Sequence, residues 1–116
     1  MESISLVTYT NSVMKDAWQM YFGQLDTHFK IENSFVFSNE NCLDYENHKF
    51  IKYDNNDPYY KQYLGCIDEV SDDFVIYMQE DFFLYGDVDS ERLQAYVKFL
   101  NENDECAFVR LLRCGY

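Results

Sequence analysis

Short runs of β-branched and aromatic residues alternate along this chain with segments whose apolar residues recur every three to four positions. The short runs predict strands at residues 4–10, 34–38, 48–53, 74–79 and 106–112. The amphipathic segments predict helices over about residues 12–29, 58–70 and 90–100. Because parallel neighbouring strands need a crossover, usually a helix, this order predicts an α/β three-layer sandwich with a mostly parallel sheet.

Polar residues mark the start of each predicted helix. Asn11-Ser12 follows the first strand as a cap pair, and Asp57-Pro58 offers a capping carboxylate followed by a residue without a backbone donor. Residues 87–90 (DVDS) give the third start, and the polar cluster at residues 101–104 ends that helix.

Residues 74–79 (FVIYMQ) form the most hydrophobic predicted strand, which we therefore expect in the centre of the sheet, covered on both faces. Glu80 and Asp81 follow it directly, and residues 82–84 are apolar again. Acids at a strand end are commonly solvated or cap helices. Apolar residues on both sides of this pair indicate instead a setting in which a carboxylate needs a cation or hydrogen-bond donors.

Length and charge limit the class of protein. A chain of 116 residues predicts one domain. Its formal net charge of -12 opposes binding to nucleic acid or to an anionic membrane surface. If the chain binds an anionic ligand such as a nucleotide, a divalent cation held by carboxylates is the natural means of neutralising it. No apolar segment approaches a membrane span and no signal peptide is recognisable, so we expect a soluble, cytoplasmic protein.

The four cysteines are dispersed and contain no CxxC pair, and the two histidines lack the spacing of zinc ligands. We expect reduced, mostly buried thiols at Cys42, Cys66, Cys106 and Cys114 in preference to a disulfide.

Polar side chains follow three of the predicted strands. In an open parallel sheet the carboxyl ends share one edge, and ligands bind there, near the point where the strand order reverses. We therefore expect the following residues to converge on one site: Thr8, Tyr9, Thr10, Asp54, Asn55, Glu80 and Asp81.

Two stretches resemble one enzyme family. Residues 4–12 (ISLVTYTNS) resemble the opening strand and turn of GT-A, nucleotide-diphospho-sugar transferase type glycosyltransferases, and residues 72–113 more specifically resemble their acidic-motif strand and the segment after it. The resemblance implies a Rossmann-like half-domain in which the end of the first strand meets the nucleotide. Gln79, Glu80 and Asp81 would occupy the DxD-type positions, with glutamine in place of the first aspartate. An amide adds no charge to a metal site.

The resemblance further implies binding of a nucleotide-diphospho-sugar donor, for glycosyl transfer to a saccharide acceptor. Mg²⁺ or Mn²⁺ on Asp81 would offset the diphosphate charge and stabilise the leaving nucleotide diphosphate. Because the chain stops before the family's acceptor-binding half, we expect a truncated or minimal member that binds rather than turns over. With the strand-end argument, the predicted nucleotide-binding set is Thr8, Tyr9, Thr10, Asp54, Gln79 and Glu80.

Two other classes of protein fit parts of the sequence. Eleven tyrosines and ten phenylalanines are more than one small core readily hides, which favours a non-catalytic interaction module that forms a homodimer through exposed aromatics. A flavodoxin-like receiver or cofactor domain fits less well, because no glycine-rich phosphate loop follows the first strand.

Overall fold

Four parallel strands form the sheet of the computed structural model, which describes residues 3–84 and 86–111. The strands are β1 (Ile4–Tyr9), β2 (Ser34–Ser38), β3 (Lys49–Lys52) and β4 (Phe74–Gln79). They lie side by side in the order β3-β2-β1-β4, and every neighbouring pair is parallel. The helices are α1 (Trp18–His28), α2 (Tyr59–Ile67) and α3 (Ser90–Glu102). The predicted α/β class with a parallel sheet is confirmed.

Helices α1 and α2 cover opposite faces of the sheet. Successive side chains of a strand point to opposite faces, so each strand contributes alternately to the two cores. Leu6 of β1 lies in the core under α1, whereas the next residue, Val7, lies in the core under α2. The α1 core also contains Trp18, Tyr21, Phe22, Leu25, Val36 and Met78. The α2 core also contains Phe37, Ile51, Tyr53 and Cys66. In residues 3–88, the sheet is therefore the middle of three layers, with α1 on one side and α2 on the other.

The prediction that residues 74–79 form the central strand is wrong. Among the described residues β4 pairs on one side only, its Val75 is 37% exposed and Met78 is its one buried residue, whereas β1 lies between β2 and β4. The hydroxyl residues Ser5 and Thr8 make β1 look less hydrophobic. Both hydroxyls are hydrogen-bonded, so that they tolerate complete burial.

The helix starts differ in detail from the predicted ones. A 3₁₀ helix, Ser12–Ala17, precedes α1, and Asn11 caps it by accepting a hydrogen bond from the Val13 backbone N–H. At α2 the predicted cap by Asp57 is wrong: Pro58 holds the cap position, and no side chain caps that helix. The Pro58 carbonyl oxygen accepts from the first-turn N–H groups, which anchors the helix without a carboxylate.

Residues 3–88 form one compact unit, and residues 89–111 belong to a second one. Asp89 caps α3 by accepting from the Arg92 N–H at 3.1 Å, as the sequence predicted. Residues 106–111 are irregular, so the predicted strand there is wrong as far as the structure describes it, and Leu112 lies outside the described residues. None of the described helices combines the length and the apolar character needed to cross a membrane.

Candidate functional site

The segments that follow the four strands meet at one edge of the sheet, which we call the rim: residues 9–12, 38–39, 53–55 and 79–81. The rim includes the point at which strand order reverses. The connection from β1 leads to β2 on one side, and the connection from β3 returns past both strands to β4 on the other. In open α/β sheets this reversal opens a crevice for ligands.

A bridge of side chains joins the ends of β1 and β3. The Asn11 amide donates to the Tyr53 hydroxyl at 3.0 Å and to Asn55 Oδ1 at 2.8 Å. The Tyr53 hydroxyl donates in turn to the Thr10 carbonyl oxygen at 2.6 Å. These bonds hold the two strand ends in a fixed relation and connect Thr10 and Asn55, two of the seven residues that were expected to converge, through Asn11 and Tyr53.

The end of β2 is locked to the same place. Asn39 Oδ1 accepts from the Ser12 backbone N–H at 2.7 Å, and its amide donates to the Ser12 hydroxyl at 2.9 Å. The sequence pattern did not single out Asn11, Ser12 or Asn39 as site residues. Their signal is an asparagine within two residues of the end of each of two adjacent parallel strands, a pattern that is equally typical of helix caps and loops.

The predicted nucleotide contacts Thr8 and Thr10 are both buried inside the protein. The Thr8 hydroxyl shares a 2.8 Å hydrogen bond with the hydroxyl of Tyr21 on α1. The Thr10 hydroxyl accepts from the indole N–H of Trp18 at 3.0 Å. Neither hydroxyl lies at the surface of the rim, so a ligand there meets the neighbouring residues Tyr9 and Asn11 first.

Tyr9 belongs to an aromatic cluster on the α2 face, made up of Tyr9, Tyr53, Tyr59, Tyr63 and Tyr77. Its ring stacks on Tyr53 with centroids 5.4 Å apart and meets the edge of Tyr59 at 4.9 Å. Its hydroxyl donates to Gln62 Oε1. Burial, followed by the neighbouring Tyr53 hydroxyl, raises the pKa of the Tyr9 phenol well above its ordinary value.

Gln79, the first residue of the predicted acidic motif, is turned toward this cluster. Its amide donates to the Tyr77 hydroxyl at 2.9 Å, and that hydroxyl shares a second 2.9 Å bond with Tyr59. Burial and the Tyr59 hydroxyl raise the pKa of Tyr77. The amide of Gln79 is thus oriented by a phenol, which an aspartate in its place would accept from rather than donate to.

Glu80 and Asp81 form a turn immediately after β4. Glu80 is half-buried and Asp81 is exposed. After burial and hydrogen-bonding effects, the charge of Glu80 contributes to the raised pKa values of Tyr9 on one face and Tyr21 on the other. In the described parts of the chain, no three acidic, histidine or cysteine side chains are grouped to hold a metal ion, so metal binding by Asp81 stays a prediction.

A shallow concavity of about 500 Å³ opens on the rim beside β3. It is lined by five residues with polar side chains, namely Asn39, Lys52, Tyr53, Asp54 and Asn55. The predicted site residue Asp54 is exposed, and one of its carboxylate oxygens accepts from the Asn56 backbone N–H at 2.9 Å. Lys52 is the one cation of this lining and sets a positive charge beside the amide groups of the rim.

A second group of polar side chains lies at the amino ends of β2 and β3. It consists of Ser34, the first residue of β2, His48, which precedes β3, and Asp26 of α1. The Ser34 hydroxyl is 2.6 Å from His48 Nδ1, and Asp26 accepts from His48 Nε2 at 2.8 Å. These are the residue types of serine hydrolase triads. Because Ser34 is only 4% exposed, its hydroxyl does not meet a substrate, and the three residues join α1, β2 and the loop before β3. Their separation along the chain carries no motif that sequence analysis recognises.

No protein-family model matches the chain, and no match was found among the curated proteins or the solved structures. The fold defines the chain as an α/β protein with a four-stranded parallel sheet, and polar side chains lie along the rim.

Proposed function

We propose that this chain is a glycosyltransferase-like domain of the GT-A type, which binds a nucleotide-diphospho-sugar with a divalent metal ion for transfer of the sugar to a saccharide acceptor. The observation that carries the proposal is the position of Glu80 and Asp81. They follow β4 directly, beside β1, where the strand order reverses. That is where open α/β sheets bind ligands, and the resemblance of this motif to that of GT-A enzymes is an independent, sequence-based argument for the same site.

The rim offers groups suited to each part of such a donor. The ring of Tyr9 supplies a flat surface and the amide N–H groups of Asn55 supply hydrogen bonds for a base or ribose. Lys52, at the end of β3, supplies a positive charge to the part of the rim farthest from the acidic pair, in a chain that is strongly acidic overall.

The acidic pair fits Mg²⁺ or Mn²⁺. Mg²⁺ is commonly bound through one or two carboxylates together with substrate phosphates and water, without a complete protein cage. The exposed Asp81 supplies one such carboxylate, and the half-buried Glu80 supplies a second charge next to it. When bound, the metal ion neutralises diphosphate charge and favours departure of the nucleotide diphosphate.

The test is titration with uridine, guanosine and thymidine diphosphates, with and without Mn²⁺. We expect one of them to bind more tightly with Mn²⁺ and Asp81→Asn to remove that metal-dependent gain. Asp73→Asn is the matched control, because Asp73 is also acidic and lies at the other end of β4. The proposal fails if no diphosphate binds in a metal-dependent way, or if the two variants behave alike.

A second candidate function is self-association without catalysis, which is favoured by the side of β4 that pairs with no strand among residues 3–84 and 86–111. Exposed backbone groups at a sheet edge pair readily with another strand, and Val75 is exposed there. Sedimentation analysis decides this case. A dimer that Val75→Lys disperses, with no response to any nucleotide, supports the interaction module over the transferase-like domain.

A further inference from the structure

The segment that follows the acidic pair is attached to one side of α1. Two residues of that helix, Gln24 and His28, make the attachment. They are four positions apart, so they project from the same face of the helix. The attachment points lie between Phe82 and Val88, immediately beyond Glu80 and Asp81.

Gln24 makes the attachment that lies nearer to the acidic pair, and it uses both the N–H group and the oxygen of its amide. Its Nε2 donates to the Phe82 carbonyl oxygen at 2.8 Å, and its Oε1 accepts from the Leu84 N–H at 2.6 Å. This is the pattern by which a neighbouring strand pairs with every second residue. A side-chain amide carries the donor and the acceptor that the pattern needs on two neighbouring atoms. Glutamate in this position would set a carboxylate oxygen against the Phe82 carbonyl.

Apolar packing reinforces the same attachment. Phe82 and Leu84 pack against the core under α1, whereas Phe83 between them is exposed. The partial burial of Gln24 shields its two hydrogen bonds from water, which makes their loss more costly than that of exposed bonds.

His28 makes a weaker, outer attachment. Its Nδ1 lies 2.7 Å from Asp87 Oδ1, and its carbonyl oxygen accepts from the Val88 N–H at 2.9 Å. The Asp87 side chain is 87% exposed, and ion pairs in water contribute little. Gln24 is therefore the residue that fixes the segment closest to the acidic pair.

We propose that Gln24 is a positioning residue for Glu80 and Asp81. The turn that contains them is held on one side by β4, through the Phe82 N–H to Gln79 carbonyl bond of 3.0 Å, and on the other by the Gln24 amide. The backbone that carries the two carboxylates is therefore held at a set place relative to β1, so that a cation can bind without the loop being ordered first. The consequence for ligand binding rests on the function proposed above.

The experiment compares Gln24→Ala and Gln24→Glu with Gln19→Ala. Gln19 is the same residue type, exposed on the same helix, and serves as the matched control. Without any ligand, we expect amide hydrogen exchange of Leu84 to be about tenfold faster in both Gln24 variants. We also expect the backbone NMR order parameters of Glu80 and Asp81 to decrease. Circular dichroism identifies variants that remain folded.

The second measurement is the gain in affinity for the best-binding nucleoside diphosphate on adding Mn²⁺. We expect Gln24→Glu to reduce this gain about tenfold while the affinity without metal stays as in the parent protein. A general loss of structure would lower both affinities together. Unchanged exchange at Leu84, or unchanged order at Asp81, overturns the positioning role. An undiminished metal gain in a variant whose turn is mobile also overturns it.

The two proposals fail in different ways. If the parent protein shows no metal-dependent nucleotide binding, the proposed function is wrong. The order of Glu80 and Asp81 in the Gln24 variants still decides whether Gln24 positions them, because that measurement uses no ligand.

Discussion

At the scale of single residues, the hydroxyl groups of β1 show why a polar side chain near a strand end is an ambiguous signal. Thr8 and Thr10 were predicted to face a nucleotide, yet their hydroxyls are paired with Tyr21 and Trp18 of α1. Sequence predicts the alternation of faces along a strand. It does not predict which distant aromatic supplies a buried hydroxyl with its partner, since that depends on how the helix packs.

Thr8→Val tests this structural assignment. The substitution keeps the shape of the side chain but leaves the buried Tyr21 hydroxyl without its partner. We expect the free energy of unfolding to fall by about 1–3 kcal/mol, and the double variant Thr8→Val/Tyr21→Phe to recover part of that loss. Denaturant unfolding measures both. A Thr8→Val protein of full stability that has lost nucleotide affinity would contradict the assignment.

Cys66 gives a second prediction at this scale. Burial, followed by the charge of Glu69, raises the pKa of its thiol from 9.0 to about 11. Since each pKa unit changes the thiolate fraction tenfold, we expect alkylation at about pH 8 to be roughly 100-fold slower in the folded protein than in guanidinium chloride. Mass spectrometry of timed samples measures the rate. Equal rates in the two states would show that the thiol is exposed.

The same pKa shift affects stability at alkaline pH. The unfolded state loses the Cys66 proton first, so between pH 9.0 and about 11 it binds fewer protons than the folded state. The free energy of unfolding therefore decreases as pH rises through this interval, and the contribution is fully present below it. Cys66→Ala serves as the control, since stability should depend less steeply on pH without this thiol.

At the scale of helices and strands, local pattern predicted most elements to within a few residues. The exceptions depend on partners that lie elsewhere in the chain. Residues 106–111 have the composition of a strand, but a strand persists only where its backbone groups pair, and no such pairing exists there in the described residues. The hydrophobic run of β4 predicted a strand correctly and its place in the sheet wrongly, because apolar content does not distinguish an outer strand from a central one.

The contact between α1, β2 and the β3 loop through His48 leads to a prediction at this scale. His48→Ala removes the partner of the buried Ser34 hydroxyl and the ring that packs on Phe22 at 4.8 Å. We expect a loss of about 2–3 kcal/mol in the free energy of unfolding. Asp26→Asn should cost less than about 1 kcal/mol, because that carboxylate is partly exposed. Denaturant unfolding measures both losses. A larger loss from Asp26→Asn than from His48→Ala would contradict the role of His48 in joining these elements.

At the scale of the whole molecule, the class of fold followed from the order of elements, since few architectures accommodate alternating strands and helices. The residues that bind the strand ends together, Asn11 and Asn39, did not stand out. Asparagine is common after strands, and its importance here comes from three connections meeting at one edge. The division of the chain at Asp89 had no marker such as a glycine- or proline-rich linker.

The net charge of -12 shapes how this molecule meets any ion, and it leads to a prediction about salt. A cation approaching Asp81 is attracted by the whole chain as well as by the local carboxylates, whereas a free diphosphate is repelled. Raising the ionic strength shortens the Debye length from about 30 Å at 0.01 M to about 8 Å at 0.15 M. This screens most of the attraction between the cation and the distant charges of the chain.

We therefore expect the affinity for Mn²⁺ alone to decrease several-fold over that range. Affinity for the metal-free nucleoside diphosphate should change little or increase. Calorimetric titrations of the parent protein and of Asp81→Asn at each salt concentration separate the two contributions. Loss of the local carboxylate should lower Mn²⁺ affinity at every salt concentration, while the remaining salt dependence reflects the charge of the chain as a whole. An Mn²⁺ affinity that is equal in both proteins at all salt concentrations would show that the ion binds diffusely and that Asp81 is no metal ligand.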